Sequence, residues 1–206
     1  MGTPPLKLEG TEPKALPAVE RTYVLVDGEN IYTTLYSRIL QKKPTTDHRP
    51  DWDRVQQYVT SLWKRPSHGI YYFNAGTSGY SQPFADYLRG IGYRVVAVKS
   101  DKPEEKVVDS AIKRTLEAIA KHPEGNVILV SHDSDFIGEV SALHDGRRRL
   151  ALLGFTEHMS RKWDPLRESV GLEFLDLEWD AKSIPHRLPG RYRIIPIEEF
   201  DPEDFL

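Results

Sequence analysis

Six short apolar runs separated by helical patterns predict an α/β domain, a parallel sheet of about five to six strands between two layers of helices. Three observations carry this. The runs are continuously apolar rather than alternating, as in strands covered on both faces. The intervening stretches are long enough for crossover helices and repeat apolar residues at helical steps. An apolar fraction of 39% in 206 residues supplies one packed core and leaves two full-sized domains cramped.

Residues 1–20 carry Pro4, Pro5, Pro13 and Pro17 without apolar periodicity and read as a flexible arm. Order is expected from Arg21. Tyr23-Val24-Leu25-Val26 is the first strand, ending at Asp27-Gly28. A helix over 30–42 follows, with Ile31, Leu35 and Ile39 at four-residue steps. After a loop over 43–50, Asp51 caps a second helix whose apolar side holds Val55, Tyr58, Val59 and Leu62. Ile70-Tyr71-Tyr72-Phe73 is the second strand, then a Gly/Ser/Asn loop to Ser81 and a helix over about 83–90. Tyr93 to Val98 is the third strand. A long helix over roughly 104–121 buries Val108, Ile112, Thr115 or Leu116, and Ile119. Asn126 to Val130 is the fourth strand, running into Ser131-His132-Asp133-Ser134-Asp135-Phe136 and a helix that ends near Asp145-Gly146. Arg149 to Leu153, a short helix near 160–169 and Glu173 to Leu177 complete a domain over 21–180. Residues 181–206 form a proline-containing strap and an acidic tail.

Composition excludes several classes of function. There is no cysteine, hence no disulfide framework, thiolate zinc site or cysteine nucleophile. No run approaches the ~20 apolar residues of a membrane span. The start, Met-Gly-Thr-Pro-Pro, lacks a basic stretch followed by an apolar one, so a cytoplasmic protein is expected. The net charge is −3, but Glu198, Glu199, Asp201, Glu203 and Asp204 sit together at the end without a base, which leaves a body of net +2. Such a body can bind a polyanion, with the tail as competitor, or contact a second copy or a protein partner through that tail. Glycines at 76 and 79 are followed by no Gly-Lys-Ser or Gly-Lys-Thr, so there is no phosphate-binding P-loop. Ser131-His132-Asp133 holds the letters of a hydrolytic triad, but adjacent residues cannot form that relay.

The acids are placed otherwise. Asp27 ends the first strand, and Asp133 and Asp135 follow the fourth. All lie at the carboxyl edge of the sheet, where open α/β sheets bind ligands if strand order reverses between them. Asp109 lies in the first turns of the long helix, ~100° around the axis from Val108, and so borders the buried stripe near the same edge. Asn30 adds an amide. Taken singly, these acids read as a turn, a helix cap or an ion pair between Asp109 and Lys113. Together they form a set of like charges that a hard cation, Mg²⁺ or Mn²⁺, would compensate. A cation so held with open positions activates water and clamps phosphate oxygens.

Val-Leu-Val-Asp-Gly-Glu-Asn-Ile at 24–31 and Val-Ile-Leu-Val-Ser-His-Asp-Ser-Asp-Phe at 127–136 resemble the NYN domain family, a branch of the PIN-like nucleases that includes LabA-like proteins. The resemblance spans about residues 21–155. It implies a three-layer α/β/α Rossmann-like, PIN-like fold and a metal-dependent ribonuclease that uses metal-activated water. It implies that Asp27, Asp109, Asp133 and Asp135 are the Mg²⁺ or Mn²⁺ ligands, and that Asn30 orients the phosphate or a water. His132 stands where the family usually has glycine, and would narrow phosphate access or contact substrate. Thr115 stands where a second helix aspartate is common. These departures keep open a non-catalytic RNA-binding or partner-recruiting module. A phosphatase is the other rival, weakened by Glu29 where its Asp-x-Asp nucleophile pattern needs aspartate. For RNA, single-stranded or structured, the expected contacts are phosphates at Arg147, Arg148, Arg161 and Lys162, and bases stacked on Tyr72 or Tyr80.

Overall fold

The structure, a computed structural model, describes residues 21–76, 81–102, 106–122, 124–192, 195 and 197–205. The 1–20 arm and Tyr80 lie outside them. Strands β1 (Thr22–Asp27), β2 (Ser67–Asn74), β3 (Arg94–Val98), β4 (Asn126–Val130), β5 (Leu150–Gly154) and β6 (Glu173–Asp176) form one sheet in the order β3-β2-β1-β4-β5-β6. Every pairing is parallel. Strand order therefore reverses between β1 and β4, and the crevice beyond their carboxyl ends lies over that switch.

Side chains along β1 alternate between two cores, as the strand period requires. Val24 and Val26 join one core with Ile31, Val59 and Leu88, beneath helices α1 (Gly28–Thr34), α2 (Trp52–Trp63) and α3 (Gln82–Gly90). Leu25 joins the other with Ile112, Leu116 and Val140, beneath α4 (Val107–Ala120), α5 (Ile137–Ala142) and α6 (Asp164–Val170). Val24, Leu25 and Val26 are fully buried, each contributing about 1.5–3 kcal/mol by area removed from water. This is the expected three-layer α/β/α fold.

Two elements depart from the sequence pattern. After Thr34 the first helix widens into a π-helical segment, Leu35–Leu40. The extra residue in that turn moves the apolar face on by one, so Leu40 is buried and Ile39 only partly so. The chain after β4 makes a tight turn at Ser134–Phe136 before α5, which stops at Ala142 rather than near Asp145. Asp51 caps α2 as expected, accepting from the N–H groups of Asp53 and Arg54 at 3.1 and 3.3 Å.

The strap packs on the α1–α3 face. Ala181, Ile184 and Leu188 join that core, and the Asp51 N–H donates to the Ser183 carbonyl at 2.7 Å. Arg191 locks it. Its guanidinium, 1% exposed, meets Glu157 at 2.6 Å, Asp176 at 2.5 Å and Glu178 at 2.7 Å, and lies over the Phe155 ring.

Candidate active site

Asp27 is the last residue of β1 and the N-cap of α1, and is only 4% exposed. One carboxylate oxygen accepts the Asn30 N–H at 3.1 Å and the other accepts the Ser131 hydroxyl at 3.2 Å. Those bonds stabilise its charged form, but burial, helped by the charge of Asp109, wins and pushes its pKa up to about 7.

Asp109 projects from the first turn of α4. Asp133 ends the extended segment after β4 and caps the following turn, accepting the Asp135 N–H at 2.9 Å. Carboxylate oxygens of Asp109, Asp133 and Asp135 all lie within 4.8 Å of one another. Asp27 is not a member of that trio; it lines the same cleft, of about 450 Å³, with Asn30, Asp109 and Asp133. Burial raises the Asp109 pKa, partly opposed by Lys106 and reinforced by Asp133. The exposed Asp135 is held low by its hydrogen bond with Lys106. All the donors are hard oxygens from three chain segments, a set suited to Mg²⁺ or Mn²⁺ and unsuited to soft metals.

Lys106 was not singled out from the sequence. Its ammonium lies 3.1 Å from Asp135 and 3.4 Å from Asp109. The sequence placed it in Lys106-Val107-Val108 just ahead of Asp109, where the resembled family usually has Lys-Gly-Val, without giving it a role. The expected pair between Asp109 and Lys113 does not form; Lys113 faces Glu139 at 3.8 Å.

Asn30 and His132 act as a buried brace. Asn30 Oδ1 accepts the His132 backbone N–H at 2.9 Å and lies 2.9 Å from its Nδ1. His132 Nε2 accepts the Phe155 N–H at 2.8 Å. That bond fixes the tautomer: Nε2 is bare and Nδ1 carries the proton, toward Asn30 and Thr34. Burial lowers the pKa of His132 to about 3, so it is neutral. With both nitrogens engaged and its ring buried, His132 presents no free nitrogen to a metal and does not line the acidic cleft. Gly154 belongs to the same arrangement, because a Cβ there would come 2.7 Å from His132 Nε2.

The expected RNA contacts separate. Arg147 and Arg148 precede β5 and so stand at the amino edge of the sheet, opposite the acids. Arg148 is turned inward, donating to the carbonyls of Ile119 and His122 at the end of α4, at 3.2 and 2.5 Å. It caps a helix rather than tracking a backbone. Tyr72 is 2% exposed and donates to Thr115 at 2.8 Å, so it is core and offers no stacking face. Arg161 and Lys162 are exposed in the segment beyond β5, on the carboxyl side, and the charge of Lys162 reaches Asp135.

The NYN domain model matches residues 21–178, from the start of β1 to just past β6. The chain belongs to the NYN domain family. Among solved structures it is similar to a protein of unknown function from Vibrio parahaemolyticus, with a TM-score of 0.59 and 20% identity over 80% of this chain and 97% of that one. That likeness concerns the fold alone. No curated protein matches. In this NYN domain the two motifs that carried the resemblance are β1 with the start of α1, and β4 with the turn after it.

Proposed function

We propose that this NYN domain is a metal-dependent ribonuclease that hydrolyses phosphodiester bonds at the β1–β4 crevice. The observation that carries the reading is the convergence of Asp109, Asp133 and Asp135 within 4.8 Å, with Asp27 buried in the same cleft. Asp109, Asp133 and Asp135 would hold Mg²⁺ or Mn²⁺, with Asp27 beside them. Bound there, the cation would supply the positive charge that acidifies water and neutralises phosphate oxygens. The chain's own residues do the rest. Ser131 and the Asn30 N–H orient the Asp27 carboxylate. Asn30, braced by His132, fixes the start of α1 against the turn that carries Asp133. Lys106 offsets part of the acidic charge and stands where it can meet a phosphate, while Arg161 and Lys162 bring the backbone to the rim.

A non-catalytic RNA-binding module is the second reading. It draws on Lys106, whose ammonium already pairs with Asp109 and Asp135 and offsets part of their charge without an ion.

The two readings part on Mn²⁺. Titration followed by calorimetry should give saturable binding, and a generic single-stranded RNA should be cut only when Mn²⁺ or Mg²⁺ is added. Asp133→Asn should abolish both while leaving a folded protein, since removing one of several like charges relieves repulsion. RNA binding without cleavage at saturating Mn²⁺ would favour the module.

A further inference from the structure

Beside the acidic cleft lies a second and larger cavity, of about 670 Å³, and the two share Glu29 and Thr33 along α1. Its floor and walls are aromatic: Trp52, Tyr71, Phe73 and Phe84, with Tyr32 at the side. Its rim carries two exposed cations, Lys43 and Arg49, which have no acidic partner among the described residues; Arg49 lies 5.7 Å from the Tyr32 ring centre. Tyr71 is 6% exposed, and among the described residues its hydroxyl makes no hydrogen bond. That hydroxyl crosses directly over Gly28, where a Cβ would come within 2.0 Å of it. Burial raises its pKa, the charge of Asp27 adds to this, and Arg49 opposes it. The cavity thus runs from the acids, past a buried hydroxyl, to a basic rim.

We propose that this cavity receives one unpaired nucleobase of the RNA strand, with the adjoining phosphate on Lys43 and Arg49. The proposal rests on the reading of the neighbouring cleft as the place of RNA hydrolysis, and it adds the subsite that sets where the strand lies. Tyr32 and Phe84, the partly exposed aromatics, supply faces for stacking over an apolar floor of Trp52, Tyr71 and Phe73, and a base swung out of a single strand exposes the hydrogen-bonding edge that the Tyr71 hydroxyl can address. The volume falls in the range of small-ligand sites and exceeds what one base needs. Double-stranded RNA cannot supply the base without unpairing, so the site selects single-stranded segments. The unpaired cations argue for a phosphate-bearing occupant over a neutral apolar one.

The test measures binding by the full chain in chelator, so it is independent of cleavage. A fluorescent RNA hexamer should lose at least about fivefold in affinity when an abasic residue replaces the base at one position, the loss expected for a single stacked base. The same replacement elsewhere should have little effect. Lys43→Ala with Arg49→Ala should flatten the slope of log affinity against log salt by ~0.7, the value for the one phosphate that the two cations share. Hexamers carrying 4-thiouridine should photo-crosslink to the peptides holding Tyr32 or Tyr71. An abasic series without a sensitive position, a slope unchanged in the double variant, or no binding of RNA at all would each overturn the proposal. If binding keeps these features but Mn²⁺ elicits no cleavage, the base subsite stands and the nuclease reading falls. If Mn²⁺-dependent cleavage occurs without them, the nuclease stands and the subsite falls.

Discussion

Two buried groups at the β1–β4 crevice pull stability in opposite directions with pH. Asp27 titrates near 3.8 unfolded and near 7 folded. Between those values the folded chain holds a proton that the unfolded chain has lost, so raising the pH from about 4 to about 7 destabilises the fold. The full effect is on the order of 4 kcal/mol. His132 does the reverse. Its pKa falls from 6.5 to about 3 on folding, so stability drops as pH falls below 6.5. Over pH 4 to 6.5 the two slopes oppose each other, and wild type should melt with little pH dependence from this pair. Asp27→Asn keeps the helix cap but removes one slope. In chelator its melting temperature should climb with pH to about 6.5 and exceed that of wild type above pH 7. A variant that tracks wild type throughout would show that Asp27 titrates as an ordinary surface carboxylate. Added Mn²⁺ should stabilise wild type more at pH 8 than at pH 5, because protonated acids do not bind it.

At the scale of elements, the strap is fastened by one side chain. Arg191 binds Glu157, Asp176 and Glu178, whose side chains are at most 9% exposed. Arg191→Ala would strand them, at a cost of about 3–5 kcal/mol for breaking a buried ion pair. The urea midpoint should fall accordingly, and Arg191→Lys should recover only part of it, because a single ammonium cannot serve three acids as the planar fork does. An unaltered midpoint would make the clasp energetically idle. None of this was legible in the sequence, since the partners lie 13 to 34 residues apart with no shared period. The strands were legible because burial on both faces leaves unbroken apolar runs. That Asp27 and Asp133 line one cleft was legible only on condition that strand order reverse between β1 and β4, which apolar runs do not fix and the sheet supplies. Arg148 was misread for a like reason. A charge beside a strand looks solvated until the fold brings the carbonyl end of α4 within reach. The π-helical turn at Leu35–Leu40 was also hidden, since Ile39 and Leu40 offer a four-residue and a five-residue step equally well.

For the molecule as a whole, the net charge of −3 conceals a body of +2 and a terminal acidic group. Removing the residues after Pro196 should raise affinity for single-stranded RNA at low salt, with the gain vanishing once added salt shortens the Debye length to about 3 Å at 1 M. Equal affinities at low salt would leave the tail without influence on the site. The hydrogen bond from Ser131 to Asp27 has a further consequence. It joins residues 104 positions apart, so at about 5–20 residues per second the ribosome needs roughly 5 to 20 s to make the second after the first. During that interval β1 lacks one of its two neighbours, and the acids that would gather a cation are not yet all made. The acids of the crevice therefore come together only after most of the domain has been translated, whatever chemistry they serve.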